Sequence, residues 1–203
     1  MLNEVKRAFS ENKLAICSSI AILFISLILG YFLEPYLHDF FNPVVEDLTQ
    51  KVKTGVIQIT FTDIFFNNIK IVFQMFIYGL MCCFSAVILT FNGFFVGYYV
   101  ATTGDLFTTL MYIVPHGIFE FSSCILACAS GFVLFDFLYK FLKTLINEED
   151  VSIRHSLYNS YENSCDKLKQ ALIIFVISAI LMAIAGFIEA YLTLPIANFV
   201  LSI

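Results

Sequence analysis

Within an apolar run from about Leu106 to Leu138 stands the string Tyr112-Ile113-Val114-Pro115-His116-Gly117-Ile118-Phe119-Glu120. The run is long enough to cross a bilayer, since a spanning helix needs about 20 mostly apolar residues. An ionisable group inside such a segment costs at least ~2.5–3.5 kcal/mol on insertion scales. His116 and Glu120 therefore need a partner or a task, and together they mark the polar heart of the chain.

The rest of the sequence has the same character. Of its 203 residues, 60% are hydrophobic and 13% charged, against about 25% charged in soluble domains. Mean hydropathy is +0.87. One soluble core of this size could not bury so many apolar runs. The expectation is an all-α, polytopic membrane bundle of about five spans, a single integral membrane domain over 1–203. A net charge of −5 without a basic block speaks against nucleic-acid binding. The first apolar run, Leu14 to Leu33, is followed by Glu34-Pro35-Tyr36 rather than by a small-residue cleavage pattern, so it reads as a retained span. Five of the six cysteines (Cys17, Cys82, Cys83, Cys124 and Cys128) fall in expected spans and none forms a CxxC pair. That usage gives neither a disulfide framework nor a zinc module, and no cofactor is expected.

In chain order, residues 1–13 place Leu2, Val5, Ala8 and Phe9 at helical spacing, an amphipathic helix for the membrane surface. After the first span comes the longest extramembrane stretch, the outer loop 34–69. In it Asn42 can cap a helix and Pro43 suits its first position. Val44, Val45, Leu48 and Val52 then form a narrow apolar stripe before Gly55, which suggests a helix lying on the membrane. A second helix start at Thr62-Asp63 leads past Asn67 and Asn68 into a span over about 69–91. Asn92-Gly93 is a turn dipeptide and is expected to end it. The stretch 93–114 either crosses or re-enters. Pro115 restarts the chain for a fourth span to about Leu138. The polar segment 139–169 holds an amphipathic helix, with Ile153, Leu157, Tyr161, Cys165 and Leu168 at helical spacing. It feeds the last span, Ala171 to Leu192, which carries a second intramembrane acid, Glu189.

Basic residues near span ends set orientation. Lys6, Arg7 and Lys13, and then Lys140, Lys143, Arg154, Lys167 and Lys169, favour a cytoplasmic N-terminus and a cytoplasmic 139–169 loop; Lys51, Lys53 and Lys70 oppose it. Five crossings then put the C-terminus outside, in a multi-pass protein of the cell membrane. His116, Glu120, Glu189, Asn67 and Asn68 all come to outer-leaflet depth, where polar groups need one another's company.

His116 and Glu120, four apart, share a helix face. Such a pair supplies an imidazole nitrogen and a carboxylate oxygen, half of a metal site. Cys124 and Cys128 continue the series, but each four-residue step turns about 40° and climbs about 6 Å, so His116 and Cys128 cannot reach one ion. A metal at His116 and Glu120 would need Glu189 or another distant residue. A structural His–Glu hydrogen bond between spans is preferred, ahead of a proton or cation role and then a metal. Glu189 reads equally as a partner for His116 or as a carboxyl near the surface. Nothing marks a catalytic residue: there is no GxSxG, HExxH or phosphate-binding glycine loop.

Taken together, Asn67-Asn68, Asn92-Gly93, Pro115-His116-Gly117-Ile118-Phe119-Glu120, and Ile188-Glu189-Ala190 with Pro195 resemble the stage II sporulation protein M family of integral membrane proteins. The resemblance covers most of the chain. It implies a five-span fold and a non-catalytic scaffold, since the family's namesake holds cell-wall hydrolases at the septal membrane during engulfment. Partners on that reading are the lipid bilayer, other membrane or envelope proteins, and a second copy of the chain. A small transporter or channel using His116, Glu120 and Glu189 is the alternative, and an intramembrane metalloenzyme comes third.

Overall fold

The computed structural model describes residues 2–54, 60–81, 84–147 and 153–202. Eight α-helices follow in order among them: α1 (Leu2–Glu11), α2 (Lys13–Phe32), α3 (Glu34–Lys53), α4 (Phe61–Tyr78), α5 (Phe84–Thr102), α6 (Leu106–Asn147), α7 (Ile153–Tyr191) and α8 (Thr193–Leu201). A short 3-10 turn, Gly79–Met81, follows α4. There is no strand among the described residues. Five helices are long and apolar enough to cross a bilayer: α2, α4 with its turn, α5, α6 and α7. The chain is therefore an all-α polytopic membrane bundle. Helices are the form that satisfies every backbone group within its own segment when no water is at hand.

The helix breaks differ from those expected. Asn92 and Gly93 lie inside α5, and the second crossing ends instead in the 3-10 turn Gly79–Met81, with α5 beginning at Phe84. The reason is packing. Gly93 and Gly97 face α2 so closely that a methyl group on either would strike α2 atoms: Ser26 and the Leu23 carbonyl for Gly93, the Leu27 carbonyl and Tyr31 nitrogen for Gly97. Gly30 of α2 meets the Phe94 backbone in the same way. The glycines are a seam for helix approach, the small-xxx-small device of membrane helices. The real turn is seated by a second such contact, Gly79 against the Gly131 backbone of α6. The stretch 93–114 is divided between two crossing helices. Its break is Thr103-Gly104-Asp105, where Gly104 takes φ 71° and Asp105 accepts from the Thr108 amide at 3.1 Å to start α6. Pro115 does not restart the chain; it lies within α6, where the missing N–H leaves the Met111 carbonyl without its helical donor.

α6 and α7 form the central antiparallel pair. Ser123 and Ser178 clasp them at mid-span: each hydroxyl donates to the other's backbone carbonyl at 2.7 Å. Small buried residues line the pair, among them Ala127 and Ser130 on α6 with Ala171 and Ser178 on α7. On α7 the buried face of the polar segment is Ser156, Ser160 and Ser164, while Leu157 and Tyr161 point outward. Two members of the apolar stripe read from spacing thus face outward, because small side chains let two helices approach where larger ones cannot, while Leu168 packs on the core.

α1 is a helix, as its spacing suggests, and it is pinned to α7 rather than loose. Arg7 bridges Glu11 at 2.7 Å and Asp166 at 3.0 Å. Asn12 donates to Gln170 at 2.7 Å and accepts from Lys167 at 2.9 Å. Lys167 also faces Asp136 of α6 at 3.7 Å, and Asp136 pairs with Lys140 at 3.2 Å. These contacts define a lysine-rich end of the bundle.

At the opposite end, α3 begins at Glu34, not at Asn42, and carries Pro43 in its interior. It docks through Phe41, which is buried against Phe95 and Tyr98 of α5. Asn42 donates to Glu46 at 2.9 Å instead of capping a helix. The Leu48 and Val52 side chains, and Gly55, fall outside the described residues. α4 is capped by Thr60, whose hydroxyl accepts from the Asp63 amide, two residues before the expected start.

Candidate functional site

Three elements converge at the end away from the lysines. The start of α6 brings His116 and Glu120, the end of α7 brings Glu189, and the first residue of α8 brings Thr193. His116 and Glu120 meet because four residues on a helix return to one face. His116 Nε2 stands 4.0 Å from a Glu120 carboxylate oxygen. Glu189 joins them: one ligand atom from each of the three lies within 4.8 Å of the others. The side chains of His116 and Glu120 keep only 14% and 24% of their exposure, so solvation alone cannot meet their needs.

Thr193 is the residue that sequence reasoning missed. It is buried, and its Oγ1 lies 3.2 Å from His116 Nδ1. The same hydroxyl donates to the Ile188 carbonyl at 3.2 Å. A hydroxyl has one proton to give. When it goes to the Ile188 carbonyl, the oxygen accepts from the imidazole, the proton sits on Nδ1 and the Nε2 lone pair turns toward the two carboxylates. Only its position one residue after the α7–α8 break could have drawn attention to it.

The consequence is a cluster of acceptors. Among the described residues, no hydrogen-bond donor reaches the Glu120 or Glu189 carboxyl. A neutral imidazole lone pair and two carboxyls converge where polar groups need partners. Protons on the carboxyls, a cation between them, or donating water would meet that need.

The other residues singled out in the sequence sit elsewhere. Asn67 donates to Asn68 at 3.4 Å on α4 and neither belongs to the cluster. Asn92, on α5, donates to the Cys124 sulfur at 3.7 Å, one helical turn below Glu120. Gly93 packs on α2. Gly117 is buried on α6, where a methyl would come close to Ile113 of its own helix. Pro195 lies in the first turn of α8, a position that tolerates its missing N–H. Cys17, Cys124, Cys128 and Cys165 are free thiols, and Cys82 and Cys83 fall outside the described residues. An apolar groove of about 400 Å³ runs beside the site between α2, α5 and α6, lined by Leu27, Phe32, Val100, Leu110, Ile113 and Ile118.

The model of the family described as "Stage II sporulation protein M" matches residues 19–194. An uncharacterized protein of Methanocaldococcus jannaschii is 35% identical over 153 residues, 72% of this chain and 78% of the relative. A second uncharacterized protein of that organism is 29% identical over 212 residues, 99% of this chain and 91% of the relative. No solved structure matches the chain. The matched residues run from α2 to the first turn of α8 and take in all five crossings with His116, Glu120, Glu189 and Thr193, so the chain belongs to the stage II sporulation protein M family.

Proposed function

We propose that this protein is a non-catalytic membrane scaffold that recruits other membrane or envelope proteins, with its N-terminus and its lysine-rich end in the cytoplasm. One observation carries the reading. α6 has 42 residues and α7 has 39, and at 1.5 Å per residue each is about twice the length a ~30 Å hydrocarbon core requires. Beyond the Asp136–Lys167 contact the two continue as a helical hairpin for about three to four turns. The hairpin carries charges of both signs, yet it presents Leu142, Ile146, Leu157 and Tyr158 outward, with Ile146 at 77% and Tyr158 at 63% exposure. A groove of about 360 Å³ runs along its α6 side past Leu138, Tyr139, Leu142 and Ile146. Apolar side chains past the end of a span have no lipid tails to cover them, and such patches mark protein contacts.

The experiment places a photo-crosslinking residue at 146, 158 or 176 and irradiates cell membranes. Val176 is an exposed position of the α7 span and serves as the lipid-facing control. Discrete protein adducts at 146 and 158 but not at 176, lost from 158 when Ile146→Asp is added, support the scaffold. Equal adducts at all three positions, or none at 146 and 158, contradict it. The second reading, a small transporter or channel, is favoured by the convergence of His116, Glu120 and Glu189. Ion flux through proteoliposomes that Glu120→Gln abolishes would replace the scaffold with it.

A further inference from the structure

We propose that His116 Nε2, Glu120 and Glu189 bind one divalent transition-metal cation, with Thr193 as the positioning residue. The site stands independently of the scaffold reading. Charge comes first. An imidazole and two carboxylates that give up their protons to a bound ion would sum to −2, which a divalent ion cancels and a monovalent ion does not; at membrane depth an uncancelled charge is costly.

Donor type comes next. One imidazole nitrogen and two carboxylate oxygens suit ions of the Zn²⁺, Mn²⁺ or Fe²⁺ kind rather than the softer Cu⁺, which prefers sulfur. The nearest thiol along this face, Cys124, already accepts from Asn92 and is not one of the converging groups.

Distance is the third point. Ligands at about 2.0–2.2 Å from one ion stand at most ~4.4 Å apart. The spacings of 4.0 Å and up to 4.8 Å close to that range with side-chain movements under about an ångström. Thr193 supplies what a metal-bound imidazole ordinarily has, a hydrogen bond to its other nitrogen that fixes tautomer and ring angle. Three protein ligands leave a coordination position open for water or a small anion. The ion would join α6 to the α7–α8 junction at the face opposite the hairpin.

The full-length protein, purified in detergent and stripped with chelator, is incubated with Zn²⁺ or Mn²⁺, desalted and assayed for metal by mass spectrometry. Wild type should hold close to one ion per chain, and its melting temperature should rise with metal concentration. Glu189→Gln and Glu120→Gln should hold less than a tenth of that. Thr193→Val keeps all three ligands and should bind ~10–100-fold more weakly, the usual effect of losing a metal-orienting partner. Circular dichroism reports folding of each variant; should the ligand variants not fold, the metal-dependent melting shift of wild type against Thr193→Val decides. Wild type holding less than a tenth of an ion, with no melting shift, overturns the site and leaves protons as the neutralising charge. Stoichiometry and affinity unchanged by the substitutions overturn the assignment to these residues.

Discussion

Gly97 works through an absent methyl group. A side chain there would collide with the Leu27 carbonyl and the Tyr31 nitrogen, backbone atoms that cannot swing aside. Gly97→Val should therefore lower stability by the ~1–3 kcal/mol typical of overpacking, or more, read as a fall in melting temperature in detergent. Gly104 gives the contrast. Nothing lies within 4 Å of its missing methyl and its φ is 71°, so Gly104→Ala should cost only the ~1–2 kcal/mol of a left-handed residue. The same residues show what the sequence could disclose. Pro-His-Gly-x-x-Glu was legible because ionisable groups in a span are expensive wherever they occur. Asn92-Gly93 misled because the dipeptide carries a local turn preference, while the neighbour that governs its glycine, Ser26, is 67 positions away. Thr193 was invisible for a like reason: its partner His116 is 77 residues away, and a threonine near a span end is otherwise ordinary.

At the scale of elements, the Ser123–Ser178 clasp and the α1 dock are the contacts to perturb. Ser178→Ala removes one of two reciprocal hydrogen bonds and leaves the Ser123 carbonyl without its interhelical donor. Interhelical bonds of this kind average ~0.6 kcal/mol in membrane proteins and reach ~1.7, so a modest loss in urea or thermal unfolding is expected. The α1 dock should respond to pH. The Arg7 guanidinium first, then Gln170, hold the Glu11 carboxyl below its ordinary value. A group whose folded pKa is depressed contributes stability above the unfolded pKa and loses it as pH falls through the folded one. Hydrogen-exchange protection along α1, taken relative to the pH-dependent intrinsic rate, should accordingly fall on acidification below the ordinary carboxylate range, and Glu11→Gln should flatten that dependence; protection that ignores pH in wild type would contradict the dock. The amphipathic pattern of residues 1–13 announced α1 as a helix. It could not announce Asp166 or Gln170 as partners, since those contacts depend on α7 running unbroken from 153 to 191.

At the scale of the molecule, the five crossings separate two polar regions. The hairpin beyond Asp136 and Lys167 leaves one face, and the His116–Glu120–Glu189 cluster lies near the other. Span number was legible because apolar length is a local property; the borders were not, because Gly79 on Gly131 and Gly93 on Ser26 are tertiary choices. Orientation rests on the basic residues of the hairpin end. Single cysteines at Asn147 and Ser202, in a background without the six native cysteines, address crossing number and direction at once. With a membrane-impermeant thiol reagent on intact cells, Ser202→Cys should label and Asn147→Cys should label only after permeabilisation. Labelling of both from outside, or of Asn147→Cys alone, would contradict the five-crossing arrangement with its hairpin in the cytoplasm.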